Sequence, residues 1–294
     1  MLRKSKILAV SIFFSTLSTA VLANTPSIIA HRGGTADAPE NTQYAIQKSI
    51  SNGADAMWVT LQQSKDNVIV LYRPSDLSKL TNLTGPVSSQ TFSALKKADA
   101  AYNYSPPDYP LRGKGISVPS LEAALKKWPT TFFFLDIKSP DASPQKFASL
   151  LAKTLRKTNS LNRVRVYSTN DQYLDALPAD IPRFAGRDIT RTMLANVTMN
   201  HECALEAQNS KPAWYGFEYR REVRVMELFT LGEGTSKSFM SWDREAFDCF
   251  RKNKGNKVIL FGINNVKDYR QAKSLGADGV VVDSPAKFKS IADH

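Results

Sequence analysis

Cysteine and histidine are both scarce: the 294 residues hold Cys203 and Cys249, and His31, His201 and His294. The cysteine spacing matches no metal motif, which excludes zinc fingers and ribbons, and nothing local marks either thiol as a nucleophile. Two lone cysteines suit one structural disulfide, favoured in an oxidising compartment, or two separate buried thiols. Past residue 23 no apolar run reaches the roughly 20 residues that a bilayer core demands, so no transmembrane segment is expected in the mature chain. The glycine-rich turn of dinucleotide-binding sheets is missing too, because Gly33-Gly34 lacks the later glycine and the spacing. The formal charge of +12 could attract nucleic acid, anionic lipid or a phosphorylated substrate. Its densest basic pairs, Lys96-Lys97, Lys126-Lys127 and Arg220-Arg221, are scattered and not interleaved with aromatics. Nucleic acid is therefore not an expected partner.

What is present begins with Arg3, Lys4 and Lys6, an apolar run over residues 7–17, and an exit at Val21-Leu22-Ala23. This reads as a secretory signal peptide over residues 1–23, too short for a membrane anchor. No cysteine stands immediately after the cut, where Asn24 follows Ala23, so a lipid-anchored form is not expected. The expectation is an exported protein, periplasmic or secreted, whose residues 24–294 form one domain.

That remainder alternates short apolar runs with helical stretches. Residues 27–30, 56–61, 131–137, 164–167, 181–185, 214–217, 257–261 and 279–282 read as eight strands. Helices are expected over 42–51, with Asn41 as its cap, over 121–127 and over 146–157. Lys65-Asp66-Asn67 reads as a hairpin turn into an extended run over 68–72. His201 falls in an expected helix, and Glu218 with Arg220-Arg221 reads at its blandest as a helix cap. Eight alternating units predict an α/β fold, a single (β/α)₈ TIM barrel, ahead of an open doubly wound sheet. No internal repeat or linker divides the chain.

Barrel chemistry gathers at the C-terminal ends of strands. Those ends carry His31-Arg32-Gly33-Gly34 with Glu40-Asn41 beyond, Trp58 and Thr60, Tyr72-Arg73, Asp136-Ile137-Lys138, and later Ser168, Arg187, Glu218 and Asn264. One imidazole among cations and carboxylates suits an anion site with a general acid or base.

At these residues the sequence resembles the glycerophosphodiester phosphodiesterase family. Ala30-His31-Arg32-Gly33 followed by Ala38-Pro39-Glu40-Asn41-Thr42 is similar to its opening motif. Gly53-Ala54-Asp55, Pro119-Ser120-Leu121-Glu122 and Gly276-Ala277-Asp278-Gly279 keep the register over nearly the whole mature chain. The resemblance implies a (β/α)₈ barrel that hydrolyses glycerophosphodiesters to glycerol phosphate and an alcohol, usually with calcium or magnesium. It implies His31 as one of two catalytic histidines, Arg32 and Lys138 as phosphate contacts, and Glu40 as a metal carboxylate.

The sequence departs from that pattern at the metal and the second histidine. The Glu-x-Asp metal pair lands on Trp58 and Thr60, the second histidine on Arg73, and a later metal glutamate is shortened to Asp136. Hard cations need several oxygen ligands, so Glu40 and Asp136 alone make a vestigial site and no cofactor is expected. Arg73 brings a guanidinium able to bind phosphoryl oxygens directly, which is similar to the metal-free bacterial phosphatidylinositol-specific phospholipases C. On this reading His31 is acid or base, Arg32, Arg73 and Lys138 clamp the phosphate, and Trp58 walls the substrate's alcohol or belongs to the core. Tyr72, Asp136 and Glu218 remain unranked candidates for the leaving-group acid. Two functions are carried: an exported phosphodiesterase acting on glycerophosphodiesters or phospholipid headgroups, and a homologue that binds a phosphorylated polyol or lipid headgroup without turnover.

Overall fold

Isoleucine, valine and aromatic runs make the inner sheet. The computed structural model describes residues 25–204 and 211–292; the expected signal peptide lies outside them. Strands β1 (Ser27–His31), β2 (Ala56–Gln63), β4 (Phe132–Ile137), β5 (Val164–Ser168), β6 (Trp214–Glu218), β9 (Lys257–Phe261) and β10 (Gly279–Val282) run parallel in the order β5-β4-β2-β1-β10-β9-β6. β3 (Ile69–Leu71) pairs antiparallel with β2, forming the expected hairpin. The sheet curls, and residues 182–185 bridge its two outer strands. Val166 N–H donates to Pro182 O, Phe184 N–H to Val166 O and Ala185 N–H to Trp214 O, each at 2.9 Å. The expected fifth strand over 181–185 is thus corrected to a linking segment. Pro182 has no N–H to donate to a ladder, and only a single bridge, Val166 to Arg183, forms.

Helices cover the outside: α1 (Gln43–Ser51), α3 (Leu121–Lys127), α4 (Pro144–Lys157), α6 (Arg187–Asn200), α7 (Arg244–Phe250), α8 (Val266–Leu275) and α9 (Pro285–Ala292), with the short α2 (Phe92–Leu95) and α5 (Asp171–Asp175). No helix of the described residues is long and apolar enough to cross a membrane. α1 is capped by Thr42, whose Oγ1 accepts from Ala45 N–H at 3.1 Å, and not by Asn41. Asn41 is otherwise engaged: its backbone is left-handed at φ 57°, and its Oδ1 accepts from Thr60 N–H at 2.9 Å. The Gly33-Gly34 turn has φ of 77° and 94°, and a Cβ on Gly34 would collide with Ser49 Oγ. Close packing against α1 is the use of these glycines.

Period-two alternation sorts the strands into two layers. Outward residues such as Met57, Val59, Leu61, Phe133 and Leu135 meet helices α3 and α4 in a dry layer. Inward residues fill the barrel: Ile29, Trp58, Phe134, Tyr167, Phe184, Ile259 and Val281 are buried against one another. Trp58 stacks on Phe134 with centroids 5.8 Å apart and meets Phe261 edge-on at 4.8 Å. Where the metal pair was expected, β2 therefore supplies core aromatic to the barrel floor.

The larger departure from expectation follows β6. In place of a helix after Glu218, β7 (Arg220–Phe229) and β8 (Gly232–Ser241) form a two-stranded antiparallel hairpin. Cys203 and Cys249 form a disulfide, with Cα atoms 5.7 Å apart, tying the segment after α6 to α7.

Candidate active site

Each inward series ends at the barrel mouth. Ile29 is followed by His31, Phe134 by Asp136, Gly216 by Glu218, Ile259 by Phe261 and Val281 by Asp283. These ends, with Trp58, Tyr167, Lys138, Thr169, Arg187 and Arg221, line a cavity of about 490 Å³.

His31 Nδ1 lies 2.6 Å from Asp283 Oδ1. Asn264 fixes that carboxylate, donating from Nδ2 to Oδ2 at 2.7 Å and accepting the Asp283 backbone N–H at 2.8 Å. The hydrogen bond to His31 holds the Asp283 carboxyl below the usual aspartate range, with Asn264 and the charge of Arg32 adding to it. A carboxylate at Nδ1 puts the proton there and leaves Nε2 as the basic nitrogen. Nε2 has no hydrogen-bond partner among the described residues.

Two strands along the sheet from His31, at the end of β4, Asp136 lies 2.8 Å from Lys138 Nζ, which also donates to Thr169 Oγ1 at 3.2 Å. Burial pushes the Asp136 carboxyl above the usual range; Lys138 and a hydrogen bond from Trp58 pull the other way. On the third side Arg187 donates from Nη2 to both Glu218 oxygens, at 2.7 and 2.8 Å, and from Nη1 to Tyr167 Oη at 2.8 Å. Arg221 reaches the same carboxylate at 3.3 Å. Burial drives the Tyr167 hydroxyl far above its ordinary value, so it stays a neutral acceptor for Arg187. Three cations thus face three carboxyl groups, and directed N–H donors, more than net charge, select an anion here.

Of the expected phosphate contacts, Lys138 lines this cavity. Arg32 lies beside it: the backbone is left-handed at φ 49°, and Nη1 is held by Glu40 Oε2 at 2.7 Å. Arg73 is exposed and lines a neighbouring cavity that shares Lys138 and Thr169 with the first. The arginines that line the cavity are Arg187 and Arg221. Tyr72 is excluded as an acid, because its hydroxyl donates to Asp76 O and Leu77 O within its own loop. His201 sits at the C-terminus of α6, paired with Glu245 on the surface. Asp283 is the residue that motif matching missed, yet the strand-end rule that found His31 applies equally to the residue after β10.

The oxygen donors do not fit a calcium or magnesium ion. Positions 58 and 60 offer an indole and a buried hydroxyl. Glu40 is taken by Arg32 and by Thr35 Oγ1, leaving only Oε1 without a partner, and Asp136 is taken by Lys138. Among the described residues no three His, Cys, Asp or Glu side chains converge. A hard cation needs more.

Comparison with known proteins accords with this architecture. Residues 31–287 match the Glycerophosphoryl diester phosphodiesterase family. Uncharacterized protein Rv2277c of Mycobacterium tuberculosis is 42% identical over 267 residues, covering 88% of this chain and 87% of that protein. The crystal structure of its Glycerophosphoryl Diester Phosphodiesterase Domain superposes with a TM-score of 0.85, covering 92% of this chain and all of that one. An Oleispira antarctica phosphodiesterase solved with the product sn-glycerol-3-phosphate shares the fold, with a TM-score of 0.63 at 18% identity over 92% of this chain and 98% of that one. A Bacillus subtilis Glycerophosphodiester phosphodiesterase is 24% identical over 90% of this chain and 85% of its own length. On the span of that family match and the identity to the mycobacterial relative, this chain belongs to the glycerophosphoryl diester phosphodiesterase family.

Proposed function

We propose that the protein is an exported phosphodiesterase that cleaves glycerophosphodiesters or phospholipid headgroups without a divalent metal. The observation that carries this reading is the His31–Asp283 pair, which leaves Nε2 open to a cavity where Lys138, Arg187 and Arg221 present N–H donors. His31 Nε2 takes a proton from water as the water oxygen bonds to phosphorus. Asp283 stabilises the imidazolium so formed. On the far side the P–O bond to the alcohol breaks, and the alkoxide takes its proton from Asp136, whose burial favours the protonated carboxyl. The proton on His31 then returns to Asp136 through solvent. Lys138, Arg187 and Arg221 hold the phosphoryl oxygens, as a cation would, and Trp58 closes the floor. Arg32 acts on Asp283 through its charge, and Arg73 serves a longer substrate reaching the neighbouring cavity. The glycerol phosphate seen with the Oleispira enzyme supports a glycerol ester as substrate. The disulfide supports export, since such bonds persist in oxidising compartments.

Release of glycerol phosphate from glycerophosphocholine, followed by phosphorus NMR, tests the proposal. Wild type should turn over, and His31→Ala should lower the rate about 10²- to 10⁴-fold. An unaffected His31→Ala variant would contradict the assignment. Absent turnover, with glycerol phosphate binding weakened by Lys138→Ala, would make the protein a binding homologue instead.

A further inference from the structure

The β7–β8 hairpin leaves the barrel at the mouth of the cavity. It starts two residues after Glu218, its second residue Arg221 lines the cavity, and Tyr219, Met240 and Trp242 are buried at its root. Ten paired rungs, from Arg220 with Ser241 to Phe229 with Gly232, carry it roughly 30 Å outward at the usual strand rise. Apolar side chains stand bare toward its tip, Met226 65% exposed, Leu228 80%, Phe229 61% and Leu231 100%, and Phe239, on the third rung from the root, is 66% exposed. A lone two-stranded hairpin is marginal in water, so one projecting this far with such a tip calls for something to cover it.

Charge identifies the cover. The register sets Arg224 opposite Lys237 on the face that carries Met226, Leu228 and Phe239, with Arg220 nearer the root. Glu222 and Glu233 share that face and Glu222 pairs with Lys237 at 3.1 Å, so Arg220 and Arg224 are its cations for an anionic surface. Cations behind an apolar tip suit a phospholipid surface, where greasy side chains enter the acyl boundary and basic ones meet phosphates. Glu227 and Glu233 flank the turn. The formal charge of +12 falls to +9 once Arg3, Lys4 and Lys6 leave with the expected signal peptide, and that surplus draws the whole molecule toward an anionic surface. We propose that the β7–β8 hairpin docks the protein on anionic phospholipid bilayers, holding the cavity open toward headgroups still in the membrane. The headgroup part rests on the proposed phosphodiesterase activity; the docking part does not.

Co-sedimentation of the purified protein with phosphatidylcholine vesicles, with and without phosphatidylglycerol, tests docking with no turnover required. Wild type should bind, more tightly when phosphatidylglycerol is present. Replacing Leu228, Phe229 and Leu231 together by Ser should weaken binding about tenfold or more, since each side chain contributes through the apolar area it buries. Because these side chains are exposed, the variant should keep its circular dichroism and its rate on soluble glycerophosphocholine, while turnover of vesicle-borne lysophospholipid falls with binding. Wild type that ignores both vesicles, or a triple variant that binds as well as wild type, would overturn the proposal. So would a wild-type dimer that the triple variant dissolves, which would assign the tip to a second copy of the chain. Failure on soluble diester alone would count against the phosphodiesterase reading and leave docking intact.

Discussion

The imidazole of His31 is useful because of two neighbours that fix it. Asp283 takes Nδ1, and Asn264 locks Asp283, which leaves Nε2 for the cavity that His31 lines. Asp283→Asn removes the charge that stabilises the imidazolium while keeping the shape, and kcat should fall about a hundredfold or more with little change in KM. The same substitution has a stability signature. A carboxyl lowered by folding contributes stability that is full above the ordinary value of 3.8 and lost as pH falls through the lower folded value. Asp283→Asn should therefore flatten the acid limb of stability against pH, measured by urea unfolding below that value. Asp136 shifts the other way. Its raised carboxyl serves as acid until pH passes its folded value, so the wild-type rate should fall there, and the Asp136→Asn variant should be slow with no such fall. His31, Lys138 and Asp136 were legible from strand-end position and motif. Asp283 was equally placed but outside the matched motif, and the partnership of Arg187 with Glu218 needs contacts between α6 and β6 that no local pattern encodes.

Elements were legible where they bury a face. The parallel strands and α4 show clear periodicity because one side of each is core. The β7–β8 hairpin was missed because its strands bury almost nothing beyond the root, so Arg220 to Phe229 carries no apolar stripe to read. Segment 181–185 shows the converse: its composition suits a strand, but Pro182 withholds a donor and the ladder stops at one bridge. The opening motif also fixes an element. Asn41 Oδ1 ties the loop after β1 to the buried Thr60 N–H of β2, so Asn41→Ala should cost about 1–3 kcal/mol by orphaning that donor, as seen in chemical denaturation. The disulfide constrains a segment with a sequence separation of 46. Replacing Cys203 and Cys249 together by Ala should cost up to roughly 4 kcal/mol from loop entropy, read as a lowered Tm that reductant no longer changes.

The whole molecule is a family barrel whose mouth sets Lys138, Arg187 and Arg221 beside three carboxyl groups. Fold and family were legible because the barrel's period-two strands and the motif around His31 survive. Which cations face the cavity was not, because Arg32 is diverted to Glu40 and Arg73 lies one cavity away. The account stands on the claim that Lys138, Arg187 and Arg221 replace a divalent ion in holding phosphate. The most direct measurement is the rate on glycerophosphocholine across a titration of EDTA and then of calcium. The account predicts the same rate throughout, and a loss in Lys138→Ala that no metal restores. Activity abolished by EDTA and recovered with calcium would contradict it.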